Sequence, residues 1–154
     1  MGRRSARGGA GLGTGAPVID PSPTAITPEP AAATEDVPQS DKDKCTSSMT
    51  STDYLVCDYG DTTSGTTIAA IGDSKLAQWL PALEQVARER HWRIRLYTKS
   101  ACAWNAALTD LRSRPNVACR TWGRKVLSAV LAGKPAAVLT SSLKEDAFAA
   151  DGTQ

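Results

Sequence analysis

The sequence predicts an α/β domain built on a partial, doubly wound parallel sheet of about three strands with flanking helices. Three observations predict it. A short β-prone apolar run, Thr67-Ile68-Ala69-Ala70-Ile71, ends at Gly72. Two stretches of helical hydrophobic spacing follow it. The resulting order of strand, helix, strand, helix, strand is the pattern of helices covering both faces of a parallel sheet.

The first strand is almost continuously apolar, as a central strand covered on both sides requires. After Gly72-Asp73-Ser74, residues Leu76, Leu80, Leu83, Val86 and Ala87 recur at helical spacing to about Arg90, with Pro81 tolerable only near a first turn. Trp92 to Thr98 reads as the second strand through Ile94, Leu96 and Tyr97. Cys119, Trp122, Val126 and Val130 line one face of a second helix, which Gly133 closes before Pro135. Ala136 to Thr140 gives the third strand, and from Ser141 the tail reads only as polar loop or helix start. Sheets of this kind normally continue, so this one is expected to be unfinished. Ligands bind beyond the carboxyl ends of such strands, and Ser74 stands at that edge.

Upstream, six of the nine prolines fall between Pro17 and Pro38 among Ala, Thr, Ser and Glu, which predicts a disordered linker over residues 1–40. Residues 41–66 are expected to form an ordered lead-in, with a small hairpin, and 67–154 the α/β part. The 154 residues leave room for one domain. With 41% hydrophobic and 22% charged residues and no run near the roughly 18 apolar residues of a spanning helix, nothing crosses a bilayer. A net charge of +2, with basic residues scattered except at Arg3, Arg4 and Arg7, excludes a nucleic-acid role. The four cysteines lie too far apart for CxxC metal motifs and far from the single histidine, so two disulfides and no metal or organic cofactor are expected. Disulfides imply an oxidising compartment, yet the glycine-rich start carries no apolar export segment. The expectation is a piece of a longer exported or membrane-anchored protein.

A serine between a buried strand and the first turn of a helix is placed to act as a nucleophile. Its hydroxyl projects from a tight turn, and its own N–H and the unpaired amides of that turn point where an oxyanion forms. Asp73 is expected to accept from loop amides and to hold the Ser74 rotamer. The plainer alternative is that both residues only cap the helix. Trp104, in the loop after the second strand, is the aromatic expected to touch a sugar, whereas Trp79, Trp92 and Trp122 are assigned to core packing. His91 closes the first helix at the edge opposite Ser74 and is not its base.

Taken in order, Ile68 to Lys75, Gln78-Trp79-Leu80-Pro81-Ala82-Leu83-Glu84, Trp92, Lys99-Ser100-Ala101-Cys102, Cys119 with Trp122, and Lys134-Pro135 resemble the SGNH (GDSL-like) domain fused to family-3 membrane acyltransferases, in its actinobacterial-type form. Thr27-Pro28-Glu29-Pro30, Glu35-Asp36-Val37-Pro38, Cys45, and Cys57 with Tyr59-Gly60-Asp61 resemble the lead-in of such domains. The likeness covers about Ile26 to Thr140. It implies a flavodoxin-like, SGNH-type fold and serine-centred transfer of an acyl group, acetyl above all, to hydroxyls of cell-envelope glycans. It implies two partners, a membrane acyltransferase domain missing from this chain and a surface glycan acceptor. The resulting location is extracytoplasmic, attached to the cell membrane through that missing N-terminal domain. Ser74 matches the nucleophile. Lys75 stands where the family often has histidine, and it joins Trp104 as a candidate glycan contact. The resemblance also favours Cys45–Cys57 and Cys102–Cys119 among the three possible connectivities. The family's C-terminal Asp-x-x-His has no counterpart here, so little or no turnover is expected of this chain alone. A carbohydrate esterase, or an inactive glycan-binding or truncated module, fits the same constellation.

Overall fold

The computed structural model describes residues 28–148. The chain divides into two compact units at Asp36 and Val37. In the first, Pro30–Glu35 forms a short 3-10 helix with every side chain exposed, and residues 1–27 of the expected linker lie outside the described residues.

In the second unit the elements are α1 (Gln39–Lys42), β1 (Thr46–Ser47), β2 (Cys57–Gly60), β3 (Thr67–Gly72), α2 (Ser74–Arg90), β4 (Arg93–Lys99), β5 (Leu108–Thr109), α3 (Val117–Gly133), β6 (Ala137–Ser141) and β7 (Ala147–Phe148). The main sheet has five strands in the order β1-β4-β3-β6, with β2 also on β4. β3 is parallel to both neighbours, pairing Ile68 with Ile94 and Gly72 with Thr98 on one side and Gly72 with Ser141 on the other. Successive side chains of β3 point to opposite faces. Ala69 and Ile71 pack with Tyr97, Trp122, Val126 and Val130 beneath α3. Ala70 packs with Leu76, Leu80, Ile94 and Leu96 beneath α2. The chain thus winds one way from β3 to β4 and the other way to β6, and the reversal falls beside the carboxyl end of β3, where such sheets bind ligands.

The α/β class and the parallel sheet are as the sequence predicts, and the lead-in adds two strands to the three expected. No hairpin forms there. β1 runs parallel to the end of β4 at Thr98 and Lys99, and β2 antiparallel to its start, from Cys57 opposite Leu96 to Gly60 opposite Arg93. The Cys45–Cys57 bridge joins these segments, and Arg95 crosses to Asp58 at 3.1 Å. Gly60, at φ 76°, lies against Ala87 and the Trp92 carbonyl, where a side chain would collide. The Tyr59 hydroxyl donates to Asp43 at 3.0 Å, and burial with that carboxylate raises the phenol far above its ordinary range.

Two helix assignments shift. Trp79 is 60% exposed and Val86 44% exposed, because the packed stripe of α2 runs through Leu76, Leu80, Leu83 and Ala87. Trp122 is buried and Trp92 half-buried, as core packing requires. Pro81 sits inside α2, beyond its first turn, on the solvent side; the apolar stripe on the other face carries the helix across the lost N–H. The third strand starts and ends one residue later than the spacing suggests, and no strand pairs with its outer edge among the described residues. Among those residues no helix is long and apolar enough to cross a membrane.

The lead-in is also held by a buried cation. Lys99, wholly buried at the end of β4, donates from Nζ to the carbonyls of Ser48, Met49 and Ser51 at 2.5, 2.9 and 2.7 Å. Burial pushes its ammonium down to about 8, so it stays protonated at neutral pH with all three hydrogens placed. Lys99→Met keeps the bulk and leaves three carbonyls without this donor. The expected loss is about 3 kcal/mol in urea unfolding; a loss below about 0.5 kcal/mol would contradict this role.

Candidate active site

β3 ends at Gly72, α2 begins at Ser74, and one residue makes the turn between them. Gly72 is required by space: a Cβ there would meet the backbone carbonyl of Ser141, its partner across β6, and would lie 3.0 Å from Leu76 Cβ. Asp73, 1% exposed, is the N-cap of α2 in an extended conformation. Its Oδ1 accepts from Lys75 N–H at 2.7 Å, and its carbonyl accepts from the N–H groups of Leu76 and Ala77. Its Oδ2 accepts from Leu143 N–H at 2.8 Å, in the segment after β6.

Asp73 therefore consumes the amides of Lys75, Leu76 and Ala77 and leaves that of Ser74. Ser74 is exposed, and neither its N–H nor its Oγ has a partner among the described residues. A free hydroxyl and a free amide on one residue, at the positive end of a 17-residue helix, can attack a carbonyl carbon and receive the resulting oxyanion.

No histidine stands by. His91, the only one in the chain, caps the far end of α2, on the order of 25 Å away along the helix axis. Its Nδ1 lies 3.2 Å from Asp61 Oδ2. The Thr63 hydroxyl, followed by His91, holds that carboxyl below the ordinary range.

The loop from β4 to α3 borders the same edge and is pinned. The Cys102–Cys119 bridge spans 5.4 Å between Cα atoms. Buried Asn116 caps α3 by accepting from Cys119 N–H at 3.0 Å and donates to the Ala101 carbonyl at 3.1 Å. Trp104 is half-buried and laid on α3, where its Nε1 donates to the Gly123 carbonyl at 3.2 Å. Asn105 Oδ1 accepts locally from Ala107 N–H. Lys75 is half-buried in the first turn of α2.

The segment after β6 has a definite path that its composition does not announce. It leaves Asp73 at Leu143, takes the Ala103 N–H on Glu145 at 3.4 Å, accepts the Asp110 N–H on the Asp146 carbonyl, and pairs β7 with β5. Residues 142–148 thus strap the Gly72–Ser74 turn to the β4–α3 loop. The turn, the loop and the strap bring Asp73, Ser74 and Lys75 to one edge with the disulfide-bonded loop that carries Trp104. Asn116 and Lys99 were not singled out as support residues. Asn116 had a legible signal, an asparagine three residues before Cys119, the first buried position of α3; Lys99 had none.

Residues 41–151 match the family described as "SGNH domain (fused to AT3 domains)". Comparison with curated proteins and with solved structures gives no match.

Asp73→Asn replaces one acceptor with an amide that faces a backbone N–H. A loss of about 2 kcal/mol is expected, together with accelerated hydrogen exchange at the Leu143 amide. Unchanged exchange at Leu143 would show that the strap does not depend on Asp73.

Proposed function

We propose, because this chain belongs to the SGNH domain family (fused to AT3 domains), that it is the soluble half of an O-acyltransferase acting on cell-envelope glycans at the outer face of a membrane. The observation that carries this reading is the unpaired N–H and hydroxyl of Ser74 on a turn fixed by Asp73.

In this mechanism Ser74 Oγ attacks the carbonyl carbon of an acyl donor, acetyl above all, delivered by a membrane acyltransferase domain. The hydroxyl proton passes to a base, which His91 at the far end of α2 cannot be. Ser74 N–H takes the oxyanion, the donor's leaving group departs with the proton, and an acyl-serine forms. A sugar hydroxyl then attacks the same carbon, its proton goes to the base and from there to the leaving Ser74 Oγ, and the acylated sugar and the free serine result. Asp73 is a positioning residue. Lys75 and Trp104 contact the glycan from either side of the edge.

Water in place of the sugar would make the same site a carbohydrate esterase. The absence of any histidine near Ser74 favours a third reading, a glycan-binding module without turnover on its own, which becomes a catalyst only with the missing base.

Produced together with its membrane acyltransferase domain, the Ser74→Ala protein is expected to acylate surface glycan at least about a thousandfold more slowly than wild type. O-acyl content is read by mass spectrometry of released glycan. Wild-type transfer by Ser74→Ala would overturn the assignment, and release of free acid with acceptor present would favour the esterase.

A further inference from the structure

The β4–α3 connection and α3 carry an unbalanced charge. From Ser100 to Gly133 there are five basic residues, Arg112, Arg114, Arg120, Arg124 and Lys125, and one acidic residue, Asp110. Lys125 pairs with Asp53. The side chains of Arg120 and Arg124 have no carboxylate partner among the described residues. They lie at i and i+4 on α3, where like charges repel. Arg120 also stands at the start of that helix, whose amides already make its end positive, and the first turn holds no acidic residue. Nothing within the described residues offsets this arrangement, and local rules broken without an internal gain point to function.

Arg120 and Arg124 both line a cavity of about 390 Å³ shared with Trp104, Asn105, Gly123 and Leu127, a size typical of small-ligand sites. The indole is fixed by its bond to the Gly123 carbonyl and lies against the helix there, where an added Cβ on Gly123 would make an ordinary van der Waals contact with Trp104 Cδ1 at 3.4 Å. Leu127, 45% exposed, extends the apolar wall, and Asn105 has its side-chain NH₂ unspent.

The geometry points to this cavity as a binding site for a sugar ring that carries a carboxylate or a phosphate. The ring lies against Trp104 and the anion sits between Arg120 and Arg124. The inference rests on the acyl-transfer reading in one respect only, that it names the acceptor as an acidic glycan; the binding itself does not involve Ser74. An anionic lipid surface would need the two arginines but not a fixed indole wall with an amide donor beside it, and the cavity therefore favours the saccharide.

The test is calorimetric titration of the oxidised full chain with trigalacturonate, mannose 6-phosphate and cellotriose, and with phosphatidylglycerol vesicles. At least one anionic sugar is expected to bind, about tenfold or more tighter than cellotriose and than to the Arg120→Gln, Arg124→Gln double variant. The sugar that binds identifies the anion as carboxylate or phosphate. Arg124 is exposed and Arg120 half-buried, and circular dichroism verifies that the double variant keeps the fold. Equal affinity for cellotriose, unchanged affinity in the double variant, binding to vesicles alone, or no binding of either anionic sugar would each overturn the proposal. Ser74→Ala is expected to bind as wild type does, so retained transfer by Ser74→Ala would count against the acyl-transfer reading alone, and absent sugar binding would count against this one alone.

Discussion

The buried carboxylate of Asp73 ties the first turn of α2 to the segment after β6, which lies 70 residues further along the chain. One oxygen accepts from the first turn of α2 and the other from Leu143 after β6, while its backbone begins the helix. A carboxylate taken out of water is costly unless both oxygens are paired. Here the two N–H donors come from segments that otherwise have no reason to meet. The carboxylate can be satisfied only when β6 lies beside β3, and β6 can lie there only because Gly72 has no side chain to push the Ser141 carbonyl away. Sheet register, helix start and strap position are therefore one constraint. The free amide of Ser74 is its by-product: Asp73 uses the neighbouring donors and none of its bonds reaches that one.

Lys99 does for the lead-in what Asp73 does for the strap. Both are buried charges at the carboxyl edge, and both are satisfied by backbone groups of segments with little apolar surface of their own. Residues 48–51 and 142–148 could not be held by hydrophobic burial, because Ser, Thr, Lys, Glu and Asp dominate them. Hydrogen bonds to a buried ion give such segments a position without a core. The Cys102–Cys119 bridge and Asn116 serve the loop between them in the same spirit. The edge that carries Ser74 is thus framed by polar and covalent ties, and the apolar packing lies beneath it, between the sheet and its two helices.

Much of this was legible in the sequence, and the reasons differ by element. β3 is readable because burial on both faces leaves a short continuous apolar run, and β4, α2 and α3 because burial on one face leaves a period of two or of 3.6 in the apolar residues. The Gly72-Asp73-Ser74 turn was readable because its three residue types each meet a distinct local need. β1, β2 and β7 were not, since strands of two to four residues are too short to show a period, and their pairing with β4 and β5 depends on chain far away. Trp79 was misplaced by one step on the helical wheel, and single residues at the border of a stripe fall to either side according to which neighbour packs first. Asp73 was read as a loop support, yet its partner Leu143 had no pattern to announce it, because an amide donor carries no side-chain signature. Arg120 and Arg124 are two among scattered basic residues in the sequence, and only the fold sets them beside Trp104.

The central claim is that the turn presents Ser74 as a nucleophile complete except for its base. It is tested most directly by incubating the oxidised chain with a fluorophosphonate probe at increasing imidazole and reading the adduct by intact mass, with Ser74→Ala as control. A small diffusible base can enter where the side chain is missing. The account predicts one adduct, on Ser74, whose rate of formation rises with imidazole and which the Ser74→Ala chain does not form. No Ser74-dependent adduct at any imidazole concentration, from a chain with native circular dichroism, would contradict it and leave Asp73 and Ser74 as the cap of a helix.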